Sequence, residues 1–102
     1  MMRLAVDADK DGVIVGTNGD VEAMTGWSEA DLVGRDLDVL IPKKYRERHH
    51  LALDTYAATG KKKIMGTWVE VEVLHSDGST TPIMLVLTEK AGMLRGFMEA
   101  LE

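Results

Sequence analysis

The hydrophobic pattern divides the chain into three stretches with different periods. Residues 3–9 and 13–18 are short apolar-rich runs that predict two strands around the turn Lys10-Asp11-Gly12. Asp-Gly between β-branched runs is a strong hairpin signal, because Gly12 accepts the positive φ such a turn needs. Residues 19–41 then predict short helical pieces. Ser28 stands as an N-cap before Glu29-Ala30-Asp31-Leu32, and Gly34 is placed to stop that helix. Pro42 opens a single long helix over 43–59, closed by Gly60. Tyr45, His49, Ala52, Leu53 and Tyr56 recur on one side of it and form an inward stripe.

From Ile64 the period becomes two. Met65, Thr67, Val69, Val71 and Val73 face one way, and Trp68, Glu70 and Glu72 face the other. His75-Ser76-Asp77-Gly78-Ser79 predicts a second hairpin turn, Pro82 to Leu87 a well-buried strand, and Ala91-Gly92 a third turn. Leu94 to Leu101 predicts the last strand, although Met98-Glu99-Ala100-Leu101 would pass for helix by propensity. The order of two strands, short helices, one long helix and three strands is that of an α+β domain with an antiparallel sheet.

Composition narrows what such a domain does. At 102 residues the chain, 1–102, is one domain with one core. Its apolar fraction of 45% and charged fraction of 28% are those of a soluble globular protein. No apolar run is long enough to span a bilayer, and Met1-Met2-Arg3 does not open a signal peptide, so the expectation is a cytoplasmic protein with no membrane partner. A net charge of −5 argues against nucleic acid as a partner, since its only basic clusters, Lys43 to Arg48 and Lys61 to Lys63, are short. The absence of cysteine removes disulfides, thiolate metal sites and thiol nucleophiles together.

The chain carries no Gly-x-Ser-x-Gly, no phosphate loop and no paired carboxylates on one predicted face, so the expectation is that it is not an enzyme. His49 and His50 diverge by about 100° on a helix and cannot share a metal through ordinary helical geometry. The acidic run Asp7-Ala8-Asp9-Lys10-Asp11-Gly12 resembles the start of a calcium loop. Its twelfth place is Asn18 rather than a bidentate Glu, so these acids are assigned to a solvated hairpin turn.

The element order and its punctuation resemble the PAS domain family from about Val6 to Leu101. The resemblance is carried by Asp11-Gly12-Val13-Ile14, Asn18, Glu22, Gly26 to Gly34, Leu40-Ile41-Pro42, Tyr45 to His49, Thr59-Gly60-Lys61, Gly66, Asp77-Gly78-Ser79, Pro82 and Gly96-Phe97. It implies a five-stranded antiparallel sheet, with short helices and the one long helix packed on one face. It also implies a non-catalytic sensory and dimerisation role, with a small-molecule pocket between sheet and long helix.

The segment Arg46-Glu47-Arg48-His49 is similar to that of the haem-binding PAS domains of bacterial oxygen sensors, whose axial histidine aligns with His49. On that resemblance haem b is the sharpest cofactor candidate, with the cofactor itself left open. His49 would be the iron ligand, Tyr45 and Leu53 share its stripe, Ile64, Leu85 and Leu87 form the apolar wall with Val69 also at the pocket, and Lys63 reaches a propionate. The alternative is a structural His49 in a cofactor-free protein–protein interaction and dimerisation module. The sequence departs from the oxygen-sensing subfamily at Val69 and Thr55, which fall where that subfamily places arginines. His50 and His75 are assigned to solvent, and Trp68 to an outer face available for contact. A homodimer and a signalling partner protein are the expected partners. The family's closing Asp-x-Thr coupling segment is replaced by Ala100-Leu101-Glu102, which fits either a stand-alone PAS protein or an excised domain.

Overall fold

The computed structural model describes residues 2–47 and 66–101. Its strands are β1 (Arg3–Ala8), β2 (Ile14–Gly19), β3 (Val69–Leu74), β4 (Thr80–Lys90) and β5 (Met93–Ala100). They form one five-stranded sheet in the order β2-β1-β5-β4-β3, with every neighbouring pair antiparallel. Between β2 and β3 lie the short helices α1 (Val21–Thr25) and α2 (Glu29–Leu32), followed by 3-10 turns at Leu37–Leu40 and Lys43–Tyr45.

Each hairpin is closed by side chains that supply what the turn backbone lacks. In the β1–β2 turn the Asp9 carboxylate accepts from the backbone N–H of Asp11 and Val13 at 2.9 and 3.0 Å, while Gly12 takes φ 83°. The acids that mimic a calcium loop are thus committed elsewhere: Asp9 to its own turn, and Asp7 to Arg95. In the β3–β4 turn Asp77 accepts from the Ser79 N–H at 2.8 Å and its hydroxyl at 2.6 Å, which holds the Asp77 carboxyl below the usual carboxylate range.

The helical pieces follow the capping chemistry read from the sequence. The Ser28 hydroxyl accepts from the Asp31 N–H at 3.1 Å, and α2 ends ahead of Gly34, whose N–H donates to the Ile14 carbonyl at 2.8 Å. That bond, with Ile14 N–H to the Arg35 carbonyl at 2.8 Å, ties the end of α2 to β2. The Glu29 carboxylate adds a second tie, accepting from the Thr17 N–H and hydroxyl at 2.9 and 2.7 Å.

The inner face of the sheet carries the core, with Leu4, Val6, Ile14, Val73, Ile83 and Met98 packed against Met24, Leu32 and Leu40. Burial alternates along β5, so the tertiary pattern overrides the helix propensity of its last residues.

The structure departs from the sequence expectation at two points. The third strand begins at Val69 rather than Ile64, because Gly66 adopts φ 78° and breaks the run; Thr67 and Trp68 lie ahead of the strand. The strand expected over Pro82 to Leu87 is longer, and only Ile83 and Val86 within it are buried. Most of the helix expected over 43–59 lies outside the described residues, among which no long helix occurs. Its opening at Lys43–Tyr45 is a 3-10 turn after Pro42. No helix among the described residues is long and apolar enough to cross a membrane.

Candidate functional site

Strand register brings three of the candidate site residues, Val69, Leu85 and Leu87, onto one patch of the inner face. Val69 on β3 is the cross-strand partner of Leu85 on β4, and Leu87 faces Gly96 on β5. All three wall side chains are half-buried, in contrast to the closed core beside them. Gly96 forms the floor. A Cβ at that position would stand 3.2 Å from Leu85 Cδ1, 3.5 Å from Leu87 Cδ2 and 3.9 Å from Met98 Cε, so the two leucines lie over a backbone surface that carries no side chain. Gly96 and Met98 complete the patch, although sequence reasoning had not named them as wall residues. Their signal was the alternation of β5, which puts both on the face of Leu94 and Ala100.

Of the remaining candidates, His49, Leu53, Lys63 and Ile64 lie outside the described residues. Tyr45 is 39% exposed rather than inward, because the 3-10 turn that contains it has a tighter period than the helix assumed for the stripe. Lys44 reaches back to the sheet, with its Nζ 3.6 Å from Glu72 on β3 and 4.9 Å from the Tyr45 ring centroid. The hydrogen bond with Tyr45, then the charge of Glu72, hold the Lys44 ammonium above its ordinary range. Arg46 donates from Nε to the Ile41 carbonyl at 3.1 Å, so it braces the chain as it leaves Pro42. Among the described residues no group of three or more His, Asp or Glu could hold a metal ion.

His75 is a correction to the sequence expectation. Its ring packs against the left-handed turn at Gly26, where a Cβ would stand 2.5 Å from His75 Cε1 and 2.1 Å from Ser76 Oγ. Its Nδ1 is buried and lies 3.3 Å from an Asp77 carboxylate oxygen. The Ser76 N–H donates to the Thr25 carbonyl at 2.7 Å. The end of α1 therefore docks directly on the β3–β4 turn, which leaves the His75 side chain half-buried, at 28% exposure, instead of free in solvent.

A family model described as the PAS fold matches residues 4–97. The chain belongs to the PAS family. As a member it is a sensory and signalling domain. It is 39% identical over 103 residues to an uncharacterized protein of Azorhizobium caulinodans, covering 95% of this chain and 14% of that protein. It is 31% identical over 81 residues to the sensor protein FixL of Bradyrhizobium diazoefficiens, covering 79% of this chain and 16% of that one. The chain thus spans only a small part of these curated relatives. Among solved structures, the PAS domain of the RpfR quorum-sensing receptor of Cronobacter turicensis in complex with C12:0 superposes with a TM-score of 0.74 at 15% identity, covering 98% of this chain and 94% of that one. At that identity the likeness is one of fold.

Proposed function

We propose that this PAS domain receives a small apolar ligand against the wall of Val69, Leu85 and Leu87, and passes its presence to a second protein chain. The observation that carries the reading is the half-burial of Val69, Leu85 and Leu87 on one patch of the inner face, where Gly96 lets the two leucines lie close against β5. The Cronobacter domain that shares the fold holds C12:0, which supports an apolar occupant. Haem b is the most specific form of the proposal, with His49 as the candidate iron ligand and Lys63 as a propionate contact. The apolar wall suits a porphyrin, and the iron would supply redox and gas-binding chemistry. On this reading the domain is a non-catalytic sensor.

An absorption spectrum of purified protein with added haemin tests the haem form. The expected result is a Soret band that His49→Ala abolishes and His50→Ala leaves largely intact. No haem uptake by the wild type, or equal uptake by both variants, rejects it. A second reading, a cofactor-free interaction module, is favoured by the exposure of Trp68 at 46% and Phe97 at 39%.

A further inference from the structure

His75 sits where the helical layer meets the β3–β4 turn. α1 lies against both β1 and β3. Its C-terminal end is fixed to the turn by a backbone bond, from the Ser76 N–H to the carbonyl of the fully buried Thr25. The Nδ1–Cε1 edge of the imidazole lies over Gly26, the left-handed residue that ends α1, in space that a Cβ there would take. Gly26 therefore makes room for the ring as well as stopping the helix.

The polar edge of that ring is unfinished. Nδ1 is buried and makes no hydrogen bond, although the Asp77 Oδ1 atom stands 3.3 Å away. The same oxygen accepts from the Ser79 N–H and hydroxyl, so it is held in place independently of the imidazole. Those bonds, chiefly that of the hydroxyl, keep the Asp77 carboxyl ionised across the interval in which a histidine titrates. A neutral imidazole brings no net charge to this carboxylate. A protonated one brings a full charge and a donor on each nitrogen, and a small ring rotation closes the gap to a charge-assisted hydrogen bond. Burial of Nδ1 works against the charge. The side chain keeps 28% of its surface exposed, which limits that cost, and the fixed carboxylate offsets it.

Other charged groups on the packed elements are engaged elsewhere or stand apart. On α1, Glu22 is exposed one turn back, and Asp20 at the opposite end accepts from the Arg3 N–H. Arg35 lies over the Trp27 ring, 5.1 Å from its centroid. On β3, Glu70 is exposed and Glu72 is paired with Lys44. The charges of β4, Glu89 and Lys90, are at its far end. Among the described residues, Asp77 is the one carboxylate within 4.0 Å of the ring nitrogens.

We propose that His75 and Asp77 form a proton-operated clasp between the end of α1 and the β3–β4 turn. Proton uptake joins the two side chains and tightens the hold of the helical layer on the sheet. Proton loss leaves the junction to packing and the Ser76–Thr25 bond. A proton thus acts on the cover of the inner face, apart from any occupant of the Val69, Leu85 and Leu87 patch. The clasp requires no ligand, so a failure to take up haem leaves it intact.

Amide hydrogen exchange between about pH 5 and pH 8 tests it, read as protection factors so that the intrinsic pH dependence of exchange cancels. The Ser76 amide should gain about threefold in protection at the acid end, the scale of a part-exposed ion pair. The Ala100 amide, bonded to the Met2 carbonyl, is the reference and should not follow. His75→Gln removes the titrating group. Asp77→Asn removes the charge and keeps an acceptor for Ser79. Each variant should leave the Ser76 factor flat with pH. If His75→Gln does not fold, Asp77→Asn carries the test. A wild-type Ser76 factor that ignores pH, a response that survives in either variant, or an equal response at Ala100 overturns the proposal.

Discussion

The inner face of the sheet is covered unequally along its length. Under α1 and the Leu37–Leu40 turn, which contact β3, side chains such as Ile14, Met24, Leu32 and Ile83 are 0–2% exposed. Toward the start of β3 and the middle of β4, Val69, Leu85 and Leu87 are only half-buried, over a glycine floor. Residue type does not explain the difference, since both regions are aliphatic. The closed region has short helices pinned onto it by backbone bonds, whereas in the other the Leu85 and Leu87 side chains lie where a side chain at position 96 would stand. One region is closed by packed helices, and the other leaves its aliphatic side chains half-exposed.

Paired truncations should separate the two regions most strongly. Ile14→Ala removes a fully buried side chain and should cost about 3 kcal/mol. Leu87→Ala, starting from a half-buried site, should cost about 1 kcal/mol. Chemical denaturation of both variants measures the contrast, and equal losses would show that the Leu87 region is as closed as the core.

The outer face gives a smaller, pH-dependent effect. The hydrogen bonds from Arg95 hold the Asp7 carboxyl below the usual carboxylate range, against a desolvation effect that raises it. A carboxyl depressed in the folded state stabilises the fold above its unfolded value, and that contribution is lost as pH falls through the folded value. Asp7→Asn should therefore cost no more than about 1 kcal/mol at neutral pH and progressively less under acid conditions. Denaturation midpoints measured against pH check the sign. A deficit that grows on acidification would assign Asp7 a different role.

The smallest expected effect lies in the β4–β5 turn. Ala91 adopts φ 53°, a left-handed conformation that costs a residue with a Cβ about 1–2 kcal/mol. Ala91→Gly relieves that strain but frees the unfolded chain, so the net gain should be about 0.5 kcal/mol in thermal denaturation. A loss would mean that the Ala91 methyl makes a contact worth more than the strain.

Much of the fold was legible because its signals are local. Asp-Gly turns, the Ser28 cap, the Gly34 stop and the alternation around Val71 and Val73 each act within a few residues. The β3 start was misread because only the left-handed backbone at Gly66 breaks an otherwise continuous run. Val69, Leu85 and Leu87, named through the family resemblance, fall on one face of the sheet, with Val69 directly opposite Leu85. Gly96 escaped notice as a floor because its importance depends on register with β4. The match of Asp7 to Arg95 was hidden for the same reason, since it joins residues 88 positions apart. His75 was assigned wholly to solvent because turn residues are ordinarily solvated, and its partial burial comes from the docking of a helix end distant in sequence.

The place of β5 in the sheet sets an order on how the chain is assembled during synthesis. β5 lies between β1 and β4, so the early hairpin and the late hairpin have no direct strand contact. They are joined only when the last strand slots between them, pairing Arg3 with Glu99 and Ile83 with Ala100. On a ribosome the first hairpin must therefore wait, with one edge of β1 unpaired, until nearly all of the domain has emerged. An arrest after β4 would leave two separate half-sheets, each presenting a bare edge to any other nascent chain.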